Sequence, residues 1–190
     1  FVLDMDGTFY LGDRLIEGSL EFLRKLDAGG QDFLFFTNNS SKTRSFYKTR
    51  LAGMGCFVDE KDIVTSGDVT IQYLRQNYPG AGVYLAGTAM LEGGVRLTAD
   101  APDIVVLGFD TSLTYEKISN ACGFIRNGAL FLATHPDLNC PTEDGFIPDC
   151  GSMCAMVQAS TGVSPKYLGK PFRETVDMIR LSTGREKGEM

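Results

Sequence analysis

The sequence predicts an α/β fold: a parallel sheet with helices on both sides and a second α/β module inserted into it. Three observations predict it. Apolar runs of strand length alternate with amphipathic stretches of helical period. The strand-length runs are apolar throughout, the pattern of strands buried on both faces. A Pro79-Gly80 break then divides two such alternating sets.

The elements follow in order. Residues 1–3 form the first apolar run, and a helix over 19–28 repeats Leu20, Leu23 and Leu26 on one face before Gly29-Gly30 ends it. Residues 33–36 are a continuous apolar strand, followed by a helix over 43–54, a strand at 63–64 and a helix over 69–77. After the break come strands at 83–86 and 104–107, a helix over 115–126, a strand at 130–133 and a helix over 152–160, closed by Gly162 and Pro165. A short strand at 167–168 and a helix starting at Pro171, a residue favoured at the first helical position, complete the pattern. The division expected is a core made of 1–79 and 164–190, with an inserted module at 80–163.

Composition narrows the function. The chain has 190 residues, a formal net charge of −6, 43% hydrophobic and 22% charged residues, the make-up of a globular protein with enough length for a real core. An acidic balance without any Lys/Arg-rich run argues against a nucleic-acid partner. The apolar runs fall far short of the roughly 20 residues that span a bilayer, so no membrane role is expected. Five cysteines without a CxxC spacing point to reduced thiols and a cytoplasmic protein.

Chemistry concentrates at the ends of strands, where open parallel sheets bind ligands. Asp4-Met5-Asp6-Gly7-Thr8 follows the first strand. Carboxylates at i and i+2 of an extended segment face one side, and such a pair repels by about 4 kcal/mol at 4 Å and an effective dielectric of 20. A divalent cation or a raised pKa relieves that repulsion. An acidic turn is the plain alternative, while a calcium loop is excluded because Leu15 stands where its twelfth-position Glu belongs. Thr37-Asn38-Asn39-Ser40-Ser41 ends the second strand with donors suited to an oxyanion or, alternatively, to capping the next helix. Lys170, within Leu168-Gly169-Lys170-Pro171, ends a third strand; alone it would read as a solvated surface charge.

Together, and in this order, the three clusters resemble the first three motifs of the haloacid dehalogenase (HAD) phosphatase superfamily. The long insertion between the second and third is similar to the NagD-like or p-nitrophenylphosphatase branch (subfamily IIA), and Thr134-His135-Pro136-Asp137 and the segment 145–151 resemble parts of its cap. The resemblance implies a Rossmann-like core with a C2-type α/β cap. It implies Asp4 as nucleophile forming an aspartyl-phosphate, Asp6 as general acid and base, Thr37 and Asn38 as phosphate ligands, and Lys170 neutralising both Asp4 and the phosphate. Mg²⁺ would be held by the Asp4 carboxylate and the Asp6 carbonyl. The expected substrate is a small phosphorylated metabolite such as a sugar phosphate, a nucleotide or phosphoglycolate. A non-catalytic phosphate-binding module is the alternative; a response-regulator-like receiver has no place for the cap.

The family's fourth motif, Gly-Asp with a second Asp close by, is not found in the 20 residues (190 − 170) after Lys170, and a shortened C-terminus is the expected reason. In the cap, His135, Asp137 and Ser152 are the residues expected to face substrate, although a lone histidine is more often structural. Cys150 and Cys154 are read as packing residues. A homodimer is allowed, with no sequence feature specifying one.

Overall fold

The structure, a computed structural model, describes residues 1–88, 94–186 and 188. Residues 89–93 of the expected insert, and Lys187, Glu189 and Met190 of the expected core half, lie outside them. In chain order the elements are β1 (Val2–Asp4), β2 (Tyr10–Leu11), β3 (Arg14–Leu15), α1 (Ser19–Ala28), β4 (Leu34–Thr37), α2 (Arg44–Gly53), β5 (Ile63–Thr65) and α3 (Ser66–Asn77). They continue with β6 (Gly82–Ala86), β7 (Arg96–Leu97), β8 (Ile104–Leu107), α4 (Tyr115–Arg126), β9 (Leu130–Ala133), β10 (Asn139–Thr142), β11 (Gly145–Pro148), α5 (Cys150–Thr161), β12 (Lys166–Tyr167) and α6 (Arg173–Thr183).

Two parallel sheets organise these elements, one of order β1-β4-β5 and one of order β12-β9-β8-β6-β7. Central strands are apolar on both faces because both faces are covered. In β8, Val105 and Leu107 pack with α4 and α5, through Ile118, Ala121, Ile125, Cys154 and Val157. Ile104 and Val106, pointing the opposite way, join Val69 and Leu74 of α3, Ile179 of α6, and Leu34 and Phe36 of the first sheet. The other face of the first sheet buries Phe35 and Ile63 against Tyr47 and Leu51 of α2. The middle cluster therefore belongs to both sheets at once.

Local signals set the element ends. Thr43 caps α2, its side chain accepting the Phe46 N–H, and Thr65 caps α3 reciprocally with Asp68. Gly162, with φ of 76°, ends α5 in the left-handed conformation glycine adopts freely.

Several expectations shift. The first strand runs to Asp4 itself. The strand expected at 167–168 is β12, and it hydrogen-bonds to β9, so a strand of the expected core half shares one sheet with strands of the expected insert. The last helix starts at Arg173 rather than Pro171, because Phe172 is its cap. Helix α5 starts at Cys150, two residues early, capped by the Asp149 carboxylate, which accepts the Cys150 N–H at 2.6 Å. The antiparallel hairpins β2–β3 and β10–β11 were not anticipated; both are short, and Asn139–Thr142 carries a proline and no apolar alternation.

Leu132 is fully buried in the middle cluster, with its backbone paired to β8 and β12. Leu132→Ala is expected to cost about 2–5 kcal/mol of stability, the range for cavity-forming core truncations, read as a lower midpoint in urea unfolding.

Candidate functional site

Register brings the predicted residues together. Asp4 ends β1 opposite Phe36, and Thr37, next along β4, lies opposite Thr65 of β5. The chain then turns sharply beyond Asp4: the Thr8, Phe9 and Tyr10 N–H groups all converge on the Met5 carbonyl, and Gly7 takes φ of 77°. Strand alternation stops at this turn, so the two aspartates meet different surroundings rather than sharing one face.

Asp4 keeps 41% of its side chain exposed. Its Oδ1 accepts the Lys170 ammonium at 2.6 Å and its Oδ2 accepts the Thr8 hydroxyl at 3.2 Å. Asp6 is more enclosed. Its Oδ2 accepts the Thr37 hydroxyl at 3.2 Å, and the buried Tyr10 hydroxyl lies beside it without a hydrogen bond of good geometry. Burial raises the Asp6 pKa, outweighing the opposing Thr37 hydroxyl, Arg50 charge and Tyr10 hydroxyl, and the Asp4 charge adds to the rise. One aspartate is thus paired with a cation while its neighbour is biased toward its acid form.

Asn38 does something the sequence reading did not assign to it. Its side-chain amide donates to Asp137 Oδ2 at 2.9 Å and to the Lys170 carbonyl at 3.2 Å, while its Oδ1 accepts the Lys170 N–H at 2.8 Å. Both amide protons are engaged, so this side chain acts as a strut fixing the turn that carries Lys170. Thr37, whose hydroxyl also accepts the Asn39 N–H at 3.0 Å, keeps its side chain beside Asp6.

Residues of the expected insert reach the same place. Ser40 Oγ bonds Thr134 Oγ1 at 2.9 Å and accepts the Phe109 N–H at 2.9 Å. The β10–β11 hairpin brings Pro141 close to Gly7, and Glu143 accepts the Asp13 N–H at 3.4 Å. Among the expected substrate-facing residues, Asp137 is 44% exposed at its side chain. His135 is 0% exposed and sits inside the protein rather than on its surface. The Ser152 hydroxyl is committed to the Leu138 carbonyl at 2.6 Å and secures the turn into α5 instead.

His135 lies between two carboxylates, Nδ1 at 3.5 Å from Asp137 Oδ2 and Nε2 at 3.4 Å from Asp149 Oδ1, without hydrogen bonds of good geometry. One ligand atom from each of the three residues falls within 4.8 Å of the others. Each ring nitrogen nevertheless faces its own carboxylate across the ring, an arrangement that suits a bridging imidazolium better than one shared cation.

The family described as haloacid dehalogenase-like hydrolase matches residues 1–97, the stretch that holds Asp4, Asp6, Thr37 and Asn38. The chain belongs to this family. Relatives extend the match along the full length of this chain. An acid sugar phosphatase of Staphylococcus aureus (strain MRSA252) is 39% identical over 198 residues, covering 100% of this chain and 76% of that protein. A 4-nitrophenylphosphatase of Thermotoga maritima superimposes with a TM-score of 0.93 at 44% identity, over 100% of this chain and 75% of that one. A glycerol phosphate phosphatase of Mycobacterium tuberculosis, solved in complex with magnesium, gives a TM-score of 0.87 at 31% identity, over 95% of this chain and 57% of that one. Among the described residues, no helix of the hydrolase is long and apolar enough to cross a membrane, and all five cysteines are free and buried.

Gly169 sits where no side chain fits. A Cβ there would lie 2.5 Å from the Thr134 carbonyl, 2.7 Å from Asn38 Oδ1 and 2.9 Å from His135 Cβ. Gly169→Ala is therefore expected to displace the Lys170 turn and to lower stability and activity together, seen as a reduced melting temperature alongside a loss of phosphate release.

Proposed function

We propose that this chain hydrolyses small phosphate monoesters, sugar phosphates among them, through an aspartyl-phosphate on Asp4. The observation that carries the reading is the Asp4–Lys170 ion pair at 2.6 Å, beside a second aspartate biased toward its acid form. A phosphate dianion and a carboxylate nucleophile repel, and a fixed ammonium touching the nucleophile offsets that repulsion where charge develops.

The steps balance with the residues present. An Asp4 carboxylate oxygen attacks phosphorus, the bond from phosphorus to the ester oxygen breaks, and Asp6 gives its proton to the departing oxygen. Asp6, now ionised, takes a proton from water; the water oxygen attacks phosphorus, and the bond to Asp4 breaks to give phosphate and the original carboxylate. Lys170 stays on Asp4 and the phosphoryl oxygens, and the Thr37 hydroxyl, only weakly held by Asp6, supplies a phosphate donor. The Asp4 carboxylate and Asp6 carbonyl would hold Mg²⁺, which when bound supplies further positive charge at the transferring group. Support for the substrate class comes from the relatives, phosphatases of sugar, glycerol and nitrophenyl phosphates.

Phosphate release from p-nitrophenyl phosphate with Mg²⁺ is expected to disappear in Asp4→Asn and to fall by about 10²–10³-fold in Lys170→Met, the scale for losing one preorganised charge partner. Equal background release by wild type and Asp4→Asn, both folded, would instead support a phosphate-binding module.

Asp6→Asn separates the two halves of the reaction. Nitrophenolate leaves without a proton, whereas the water step needs a base, so stopped-flow should show a burst of one nitrophenolate followed by turnover slowed about 10²–10⁴-fold. With an alkyl phosphate the first step needs the Asp6 proton as well. Because its pKa is raised, that proton persists above the ordinary carboxyl range, and kcat/KM should fall as pH rises through the elevated value.

A further inference from the structure

His135 is fully buried, yet its two ring nitrogens make no hydrogen bond of good geometry and face only carboxylates. A cationic ring satisfies both sides, each N–H facing a carboxylate, and relieves the repulsion between two carboxylates in an enclosed site; burial raises the pKa of Asp149, and the His135 charge opposes that rise. The carboxylate on its Nδ1 side, Asp137, is the one whose Oδ2 accepts the Asn38 amide, and Asn38 in turn grips both the N–H and the carbonyl of Lys170. A continuous chain of contacts therefore runs from a buried ring in the insert to the ammonium on Asp4.

We propose that His135 is a positioning residue for catalysis: clamped between Asp137 and Asp149, it holds Asp137 on Asn38, and through Asn38 it sets the turn that presents Lys170 to Asp4. The proposal rests on the phosphatase reading for its catalytic consequence, while the clamp itself stands on geometry.

The surroundings agree. Burial works against a charged His135, but the Asp137 carboxylate, the Cys150 sulfur and the Asp149 carboxylate outweigh it and raise its pKa. Asp137 is lowered: burial opposes this, but the His135 contact and the Asn38 amide prevail, aided by the charges of His135 and Lys170. The titratable and charged groups facing the clamp are thus Asp137 after β9, Asp149 and Cys150 at the start of α5, Lys170 after β12, Asp6 after β1 and Cys140 of β10. Because the folded-state value lies above that of the unfolded chain, the clamp's stabilisation is complete below about pH 6.5 and is lost as pH rises through the folded value.

His135 is the single histidine of these 190 residues, so its ring carbons can be followed by NMR from pH 5 to 9 and identified by their loss in His135→Asn. The expected result is a midpoint above the ordinary 6.5, lowered in Asp149→Asn, with the Asn38 side-chain amide and the Lys170 N–H titrating at the same midpoint. His135→Asn should abolish that shared titration and lower kcat by about 10²-fold, the scale of a misplaced catalytic group, with a smaller change in KM. A midpoint at or below 6.5, or Asn38 and Lys170 signals that ignore the ring, would overturn the proposal. If His135→Asn fails to fold, Asp149→Asn decides alone: the ring, Asn38 and Lys170 midpoints must move together. None of these signals requires turnover, so a protein inert toward phosphate esters would defeat the phosphatase reading without defeating the clamp.

Discussion

The site depends on holding an ammonium at a fixed place beside a carboxylate. Lys170 has a long, flexible side chain on a turn outside the first sheet, and an ion pair with a half-exposed aspartate contributes little order by itself. What supplies the order is the Asn38 side chain, which bonds the backbone of Lys170 on both sides of its Cα. Asn38 directly follows β4, so the lysine's turn is referenced to the same strand that positions Thr37. The strand register of the first sheet and the place of a residue distant in sequence become one geometric fact.

The two aspartates show how a single turn divides roles between identical side chains. Asp4 ends the strand facing solvent and a cation; Asp6, past the turn, is enclosed near Tyr10, Thr37 and Arg50. Difference in burial, not in residue type, leaves one paired with a cation and biases the other toward its acid form, the division on which the proposed reaction rests. The ordering of the Asp-x-Asp-Gly-Thr segment around the Met5 carbonyl is what produces that difference.

Much of this was legible in the sequence for specific reasons. Ile104–Leu107 is apolar at every position and is buried on both faces; Thr43, Gly29 and Gly162 mark helix ends by cap chemistry that is local. Asp4, Thr37 and Lys170 were found because each ends an apolar run. The remainder depended on distant contacts. Short hairpins leave no periodicity to detect, and β12 joined the other sheet because its partner β9 is chosen by tertiary packing. Asn38 reads as a phosphate donor or a cap until Lys170 and Asp137 arrive beside it. His135 reads as a structural or surface histidine, or a substrate-facing one, with no partner named, because Asp149, its second carboxylate, is brought to it only when α5 folds back.

Gly169 and Gly151 give this arrangement a consequence for its diversification. A Cβ on Gly151 would lie 2.1 Å from the Pro136 carbonyl, while one on Gly169 would strike the Thr134 carbonyl and Asn38. Main chain touches main chain at both points, so neither can be relieved by repacking a side chain. The charged partners, imidazole and carboxylates together, meet only through side chains, so a different set bridging the same gap leaves the backbone in place. The two glycines are not exchangeable on these terms: they are the permanent joints of the scaffold, and the ionic clamp is one fitting among those the joints would accept.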